Sequence, residues 1–268
     1  LSLLRTSPSV AASLQLMNDT DSLGRLIPEW GDLVAFFQHS MYHYYTTDAH
    51  TLIALEHAEK LGGSASVLGE TFRHLPRKEI LYLGILFHDI AKPLGISGHE
   101  ITGVDLWKRV QERMGIEDAH DDVAFLIRHH LMMEQAAFRR NTNDPATIAE
   151  FASLFRRPEQ LDMLFILTYC DLSAVNKNVW SGWKEALLTD LFLKTRKRLT
   201  DQGAADDVIV ATPYSEDDLA TFAAPQPNPT RDGSMLRFAL AVAGPVRLDV
   251  LDAAGRIVRS LADAPFRS

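Results

Sequence analysis

The sequence predicts an all-α helical bundle that is followed by a short β segment. Up to about residue 200 the apolar residues recur at helical spacing, and this part holds all ten His, all four Trp and every Lys. From residue 201 to 268 these three residue types are absent, and apolar and polar residues alternate as in half-buried strands. We therefore predict a helical domain at 1–200, a linker at 201–224 and a partial β-sandwich-like segment at 225–268.

Several segments of the first module have the apolar spacing of helices. In chain order they are 23–44 with a break at Pro28, 48–61, 78–92, 98–115, 118–138, 144–155, 158–175 and 180–200. Two of them, 78–92 and 158–175, are apolar almost all round, which is typical of helices buried at the centre of a bundle.

Capping residues and helix breakers predict where these helices begin and end. Thr47 or Asp48 can cap the helix at 48–61. Asp144 can cap the helix at 144–155, which has a proline at its first position. Pro93 ends the helix at 78–92. Gly115 ends the helix at 98–115 in the left-handed conformation that glycine favours.

The second module has strand-like patterns at 234–242, 246–253 and 257–261, with a turn signal at 252–256. A proline-rich connector or strand entrance at 221–233 precedes them. About three strands are fewer than a closed sandwich needs. Since the first residue is Leu and not Met, we expect the chain to be a fragment or a processed product.

Composition excludes several classes of protein. A net charge of -8 does not favour binding to nucleic acid or to an anionic membrane. The sequence has one cysteine, Cys170, so an intrachain disulfide and a cysteine-based zinc site are excluded, and its apolar surroundings predict a core position. No run of about 18 apolar residues predicts a membrane span.

His50, the dipeptide His88-Asp89 and Asp171 lie in apolar, helix-like segments. An unpaired imidazole or carboxylate in such surroundings costs several kcal/mol, so each needs a partner. His88 and Asp89 are about 100° apart on their predicted helix and can lean toward one point. A divalent metal satisfies all four groups, and a buried His-Asp hydrogen-bonded pair without an ion is the alternative.

Three further histidines and one lysine extend this set. His99 begins the next predicted helix, and His129 and His130 could bind a second metal or substrate phosphate. Because adjacent helical positions diverge by about 100°, we expect one of His129 and His130 to face the site. Lys92 follows His88 by four residues and could hold a phosphate oxygen, pair with a metal-bound carboxylate or form a plain salt bridge.

The remaining charged candidates are weaker. Arg139 and Arg140 form either a positive rim for an anionic substrate or a solvated helix end. The other histidines lie near exposed or helix-end sequence, and we predict surface or supporting positions for them. These are His39, His43, His57, His74 and His120.

The pattern H…HD…D, with HDIAK and a following HE-x-x-G, resembles the HD superfamily of metal-dependent phosphohydrolases. Further motifs, among them MYHYYTTDAHTL, LIRHHLMME, FRRNTNDPATIAEFA, LTYCDLSAV and VWSGWKEALL, occur in the order seen in the central HD domain of bacterial bifunctional uridylyltransferase/uridylyl-removing enzymes. This resemblance covers about residues 14–199. It implies a cytoplasmic helical HD domain that hydrolyses the phosphodiester joining UMP to a tyrosine of the PII nitrogen-regulatory protein.

The resemblance also implies roles for individual residues. His50, His88, Asp89 and Asp171 would bind a metal that lowers the pKa of a bound water and polarises the phosphoryl group. Ligands without thiolate fit Mn²⁺ or Mg²⁺, with Zn²⁺ or Fe as alternatives. The wider sets are metal ligands His50, His88, Asp89, Asp171, His129 and His130, and catalytic residues Asp89, Lys92 and His99. The expected partner is a PII-type protein or a nucleotide, without nucleic acid or membrane.

The sequence departs from the family pattern in two loops and in its extent. Pro93 and Gly98 lie where the family has a glycine-rich turn, and Asn176-Lys177-Asn178 replaces a Gly-Pro-Gly-like stretch. Both departures bear on substrate preference more than on metal binding. The nucleotidyltransferase and ACT regions of the family are absent from the sequence, and the tail is similar to the first half of an Ig-like hook-capping or secretion-sorting module.

Two other functions remain open at the level of sequence. The same metal site would serve an HD phosphodiesterase or nucleotidase that acts on a nucleotide or a cyclic dinucleotide. A non-catalytic HD signalling domain would be expected to lack at least one metal ligand. All four ligands are present, which favours an enzyme.

Overall fold

A computed structural model describes residues 1–37, 45–116, 120–176 and 179–203, together with four strands between 221 and 266. The chain divides into two compact units, Leu1–Ala205 and Asp206–Ser268. The predicted helix at 23–44 lies partly outside the described residues, as do His39, His43, the side chain of His120 and the linker interior at 204–220.

The described part of the first unit is helical throughout and contains no strand, which confirms the all-α prediction. Its helices are α1 Ser2–Thr6, α2 Val10–Asp19, α3 Ser22–Leu26, α4 Pro28–Gly31, α5 Thr47–Lys60, α6 Val67–His74, α7 Lys78–Phe87, α8 His99–Met114, α9 His120–His129, α10 Met132–Arg139, α11 Pro145–Ala152, α12 Pro158–Val175 and α13 Gly182–Gly203. Short 3₁₀ turns at Leu61–Gly63 and Lys92–Leu94 follow α5 and precede α8.

Helices α5, α7 and α12 form the centre of the bundle. Nearly every side chain of α7 and most of those of α12 are buried, as their apolar sequences predict. Aromatic pairs join this centre to the outer helices, since Phe87 packs on Trp107 of α8 at 4.9 Å between ring centroids and Phe165 stacks on Phe192 of α13 at 4.1 Å. These contacts therefore join α7 and α12 to the outer helices of the bundle.

Several predicted helix ends are confirmed, and one differs. The carboxylate of Asp144 accepts a hydrogen bond from the Ala146 amide at the start of α11, and Gly115 ends α8 in a left-handed conformation with φ 64°. Helix α5 begins at Thr47 without a side-chain cap, so neither proposed cap residue acts as one. Asp48 instead accepts a hydrogen bond from the Ala35 amide.

Two predicted helices are shorter than their sequences suggest, because histidine rings donate hydrogen bonds to backbone carbonyls that the continuing helix would use. We predicted that α7 continues to Lys92, but it ends at Phe87 and leaves the His88-Asp89 pair in a turn. Nδ1 of His88 contacts the Ile85 carbonyl at 2.7 Å, which a continuing helix would pair with the amide of Asp89. The predicted helix at 118–138 is two helices for the same reason, since Nδ1 of His130 contacts the Ile127 carbonyl at 2.8 Å.

Helices α7 and α9 approach closely at Gly84, where a methyl group would lie 2.5 Å from Cδ1 of Leu126. Both residues are buried, so we expect Gly84→Ala to lower the free energy of unfolding by about 1–3 kcal/mol through overpacking. Chemical denaturation measures this change. Gly63→Ala is the matched control, since a methyl there meets nothing within 4 Å, and equal stability of the two variants would contradict the packing.

The second unit contains four strands in two antiparallel pairs. They are β1 Thr221–Gln226, β2 Met235–Ala239, β3 Gly244–Leu251 and β4 Ile257–Phe266, with β1 paired to β2 and β3 to β4. Strand β1 lies in the predicted connector, and its pairing adds one strand to the three that alternation indicates. Helix α13 likewise extends to Gly203, inside the predicted linker. The similarity of this segment to an Ig-like module stays a prediction.

Within the described residues, no single helix has both the length and the apolar composition needed to cross a membrane. One bent pair, Lys78–Leu94 with His99–Met114, meets those criteria only when its two parts are taken together, and they meet at 113°.

Candidate metal centre

Five segments of the helical unit bring polar side chains to one buried point. His50 comes from α5 and Asp171 from α12, and His88 and Asp89 come from the turn after α7. His99 lies at the start of α8, and His130 follows the last residue of α9. Except for Asp171, whose side chain is 19% exposed, these residues are almost completely buried. All six residues were named as candidates from the sequence, and the fold brings them together from distant segments.

The first group lies between α5, α12 and the turn after α7. Nε2 of His50 is 2.9 Å from Oδ1 of Asp171, and Nε2 of His88 is 3.6 Å from the same oxygen. Nε2 of His88 is also 3.2 Å from Oδ2 of Asp89. Ligand atoms of His50, His88 and Asp89 all lie within 4.8 Å of one another, close enough to share a metal ion.

The second group shares Asp89 with the first. Oδ1 of Asp89 is 3.1 Å from Nε2 of His99 and 3.8 Å from Nε2 of His130. The two histidine Nε2 atoms are 3.1 Å apart. The ligand atoms of these three residues also lie within 4.8 Å of one another, so the carboxylate of Asp89 belongs to two groups of candidate ligands.

The backbone determines which ring nitrogen faces the cluster. His88, His99 and His130 each place Nδ1 2.7–2.8 Å from the carbonyl oxygen three residues earlier in the chain. Since a carbonyl can only accept, each Nδ1 carries the proton and donates it. In the neutral rings every Nε2 is then a lone pair directed into the cluster, the form in which histidine binds metals.

Without a proton or a metal ion between them, these lone pairs oppose one another. Nε2 of His88 is buried and has no hydrogen-bond partner among the described residues, although acidic oxygens lie nearby. Nε2 of His99 faces a second imidazole lone pair and a carboxylate oxygen at 3.1 Å. Bare acceptors buried in this way are costly unless a proton or a metal lies between them. The donor set of imidazole and carboxylate groups fits a divalent cation.

Charges in the cluster are strongly coupled. Burial raises the pKa of Asp89 and of Asp171, but the neighbouring histidines and, for Asp89, the ammonium of Lys92 hold both pKa values well below the usual range. Nζ of Lys92 lies 2.6 Å from Oδ2 of Asp89. Burial lowers the pKa of Lys92, yet the charges of Asp89 and Asp171 raise it overall, so the ammonium stays charged. Lys92 thus pairs with the shared carboxylate, one of the roles predicted for it.

Two histidines differ in how they bind protons. Burial lowers the pKa of His88, but the charges of Asp89 and Asp171 outweigh burial and raise it to about 10. Burial and the charge of His88 lower the pKa of His130 to about 4. In the chain without metal, a proton on His88 therefore balances the two carboxylates, while His130 presents a neutral ring.

His129 does not join either group. Its half-buried ring packs on Phe125 at 4.8 Å between centroids, and burial lowers its pKa. The prediction that one of His129 and His130 faces the cluster agrees with this arrangement, whereas the wider ligand set that includes His129 does not. The reason is that α9 ends at His129 and the turn carries His130 inward.

The other predicted positions are mostly structural. Nδ1 of His57 bonds with the Ser173 hydroxyl, and the exposed His74 donates from Nδ1 to the carbonyl of Glu70. Cys170 is fully buried, and burial raises the pKa of its thiol, as expected for a core residue. Arg140 forms an exposed ion pair with Glu150 at 2.6 Å.

Sequence reasoning did not select Glu134, which follows His130 by four residues on α10. Burial and the charge of Asp171 raise the pKa of its carboxyl group. Its spacing from His130 is the signal that could have drawn attention to it.

Comparison with known proteins extends these observations. Residues 47–168 match the family model for the HD domain, and Asp171 lies just beyond that match. The chain is 37% identical over 210 residues to the bifunctional uridylyltransferase/uridylyl-removing enzyme of Phenylobacterium zucineum. These residues are 76% of this chain and 22% of that protein. The enzyme of the same name from Zymomonas mobilis is 39% identical over 189 residues, covering 68% and 20%.

A third relative of the same name, from Rhodospirillum rubrum, is 35% identical over 236 residues, which is 85% of this chain and 25% of that protein. The chain thus spans about a fifth to a quarter of the length of the curated relatives it matches. The helical fold, the clustered ligands and these similarities agree with one another. The chain therefore contains an HD domain homologous to that of the bifunctional uridylyltransferase/uridylyl-removing enzymes, and this homology supports a metal-dependent phosphohydrolase.

Proposed function

We propose that this chain hydrolyses a phosphodiester and releases UMP from a uridylylated PII-type protein. The observation that carries the proposal is the pair of ligand groups that share Asp89. The similarity to uridylyl-removing enzymes over most of this chain supports the choice of substrate. Because the matched part is only about a fifth to a quarter of those relatives' length, the substrate is inferred from the shared part alone.

Two metal ions fit the proposal. His50, His88, Asp89 and Asp171 would hold one ion, and a group of three that also contains Asp89 would hold the other. That second group is Asp89, His99 and His130. A divalent ion supplies a water of lowered pKa and polarises the phosphoryl oxygens. Mn²⁺ or Mg²⁺ suits these ligands, with Zn²⁺ or Fe as alternatives.

The residues of the chain prepare this chemistry. Asp89 keeps its negative charge and faces both ligand groups. The backbone carbonyls orient the rings of His99 and His130, so neither ring has to reorganise when substrate binds. Since Nε2 of His99 points at Asp89, we assign His99 to metal binding and not to proton transfer. Lys92 contacts the carboxylate of Asp89 and acts as a positioning residue.

Release of UMP tests the proposal. The purified chain with Mn²⁺ and uridylylated PII should liberate UMP, and EDTA should stop the reaction until Mn²⁺ is restored. A panel of nucleotides and cyclic dinucleotides run beside it measures the competing activity. Turnover of a nucleotide or cyclic dinucleotide without release of UMP from PII would show that PII is not the substrate. No turnover of any compound by the metal-loaded chain would show that the domain binds ligands without catalysis.

Lys92→Met should lower kcat/KM by about 10–100-fold, because a charged group that orients a metal ligand is lost. The methionine side chain preserves most of the buried apolar stem while removing the ammonium beside Asp89. Steady-state hydrolysis with excess Mn²⁺ measures the loss. Lys108→Met, at an exposed position on α8, is the control, and an unchanged rate in Lys92→Met would show that the ion pair is only structural.

Metal binding should release a proton from His88. With a pKa of about 10, its Nε2 is protonated at pH 8, and coordination requires the bare lone pair. The apparent affinity for Mn²⁺ should therefore rise with pH up to about 10. Calorimetric titration in buffers with different ionisation enthalpies counts the proton, and heats that are independent of the buffer would contradict this assignment.

A further inference from the structure

An exposed aromatic stack lies where α10 ends and α13 begins. The Trp183 side chain is 56% exposed, and its ring stacks on Phe138 at 6.3 Å between centroids with 22° between the ring planes. Nζ of Lys184 lies 5.8 Å from the centroid of the same Phe138 ring. We call these three residues, Phe138, Trp183 and Lys184, the aromatic rim.

Neighbouring residues connect this rim to the metal centre. Helix α10, which carries Phe138, starts two residues after His130. Glu134, one turn before Phe138, is close enough to interact electrostatically with both Asp171 and Lys184. Helix α10 therefore runs from the neighbourhood of His130 to the rim.

A second aromatic contact joins the segment before α13 to α12. Trp180, three residues before Trp183, meets Tyr169 edge to face at 5.0 Å between centroids. Tyr169 precedes the metal ligand Asp171 by two residues on α12. The segment that leads into α13 therefore packs on α12 at the level of the ligand, although Tyr169 and Asp171 are about 200° apart around that helix.

The composition of the rim suits a planar, anionic ligand. The Phe138 ring lies nearly parallel to the Trp183 ring, and more than half of the Trp183 side chain remains exposed to solvent. Bases stack on aromatic side chains, and tryptophan is a strong platform for this contact. The Lys184 ammonium adds a positive charge at the edge of this stack, to which a phosphate can bind.

We propose that the aromatic rim binds the nucleotide part of the substrate, with the base stacked on Trp183 and Lys184 attracting the phosphate. The identification of the base as uracil rests on the proposed function. A solvent-exposed stack beside a phosphohydrolase centre would hold the nucleotide while the phosphodiester lies at the metal ligands. Base recognition then adds selectivity that the metal ligands themselves do not provide.

Saturation-transfer NMR with UMP and the full chain tests this proposal without metal and without turnover. The uracil H5 and H6 protons should receive more saturation than the ribose protons. Trp183→Ala should weaken UMP binding by about 5-fold or more, and Trp183→Phe should retain most of it. Leu16→Ala, which shortens an exposed apolar side chain on α2, distant in sequence from Trp183, should leave UMP binding unchanged.

Ribose 5-phosphate separates the two contributions of the rim, because it has the phosphate and lacks the base. Trp183→Ala should leave the binding of ribose 5-phosphate unchanged, and Lys184→Ala should weaken the binding of both ribose 5-phosphate and UMP. Unchanged UMP binding by Trp183→Ala would overturn the proposal. Loss of turnover on uridylylated PII with normal UMP binding would overturn it too, in favour of a contact with the protein partner. If UMP binds through Trp183 but PII is not a substrate, the rim stands and the proposed function fails.

Discussion

Asp89→Asn should lower kcat/KM by about 10³-fold or more and weaken metal binding at both ligand groups. Asp89 is the one residue that belongs to both groups among the described residues, so a neutral amide removes a negative charge from each. A metal at such a site stabilises the transition state by several kcal/mol, and each 1.36 kcal/mol is tenfold in rate. The amide has nearly the same shape as the carboxylate, so its effect reports charge and not packing.

Steady-state hydrolysis and Mn²⁺ titration of the same preparation measure both effects. Asp105→Asn, an equivalent change at an exposed position of α8, is the control and should match the parent chain in rate, metal content and thermal stability. A substantial rate in Asp89→Asn at saturating Mn²⁺ would show that the shared carboxylate is not required.

His130→Ala should remove one of two bound metals and lower kcat/KM by about 10²–10³-fold. His130 supplies one of three ligands to the second group and none to the first. The ion proposed at His50, His88, Asp89 and Asp171 should therefore stay bound. Loss of a metal ligand on this scale also costs the oriented charge that the ion provides. His99→Ala should give the same result, since it belongs to the same group.

His129→Ala is the matched control for this pair. It removes the adjacent imidazole, whose ring packs on Phe125 outside both groups, and should change the rate by less than about 2-fold. The number of Mn²⁺ ions bound per chain, measured by elemental analysis after gel filtration, distinguishes the variants. Equal metal content in His129→Ala and His130→Ala would contradict the two-group arrangement.

Most of the fold and four of the metal ligands could be predicted from sequence, because both depend on apolar periodicity. Helix α12 has the predicted bounds, and α8 differs from its prediction by one residue at each end. The ligand candidates were recognised as polar groups in apolar helices that needed partners. The structure shows that His88 and Asp89 are buried, and their binding of a metal stays a prediction.

Sequence periodicity could not reveal where α7 and α9 end. Both segments keep a helical pattern beyond the break, and the interruption comes from ring nitrogens that take the carbonyls of Ile85 and Ile127. These bonds are local competitors of the helix and do not alter the pattern of apolar residues. The same bonds turn His88 and His130 inward, so the feature that periodicity missed is the one that orients the ligands.

The aromatic rim was out of reach for a different reason. Trp183 and Phe138 are 45 positions apart in sequence, and their stacking depends on how α10 packs on α13. An exposed tryptophan in VWSGWKEALL has no distinguishing period of its own. Only the assembled helices show that it stacks on Phe138, whose ring the neighbouring Lys184 also approaches.

Anomalous diffraction from crystals of the full chain grown with Mn²⁺ tests the central claim most directly. We expect two anomalous peaks, one contacted by His50, His88, Asp89 and Asp171 and the other contacted by a group of three. That second group is Asp89, His99 and His130. A single peak at the first group would leave one metal and return His99 and His130 to a supporting role. Full Mn²⁺ occupancy elsewhere, with no peak at Asp89, would contradict the assignment of this cluster as the metal centre.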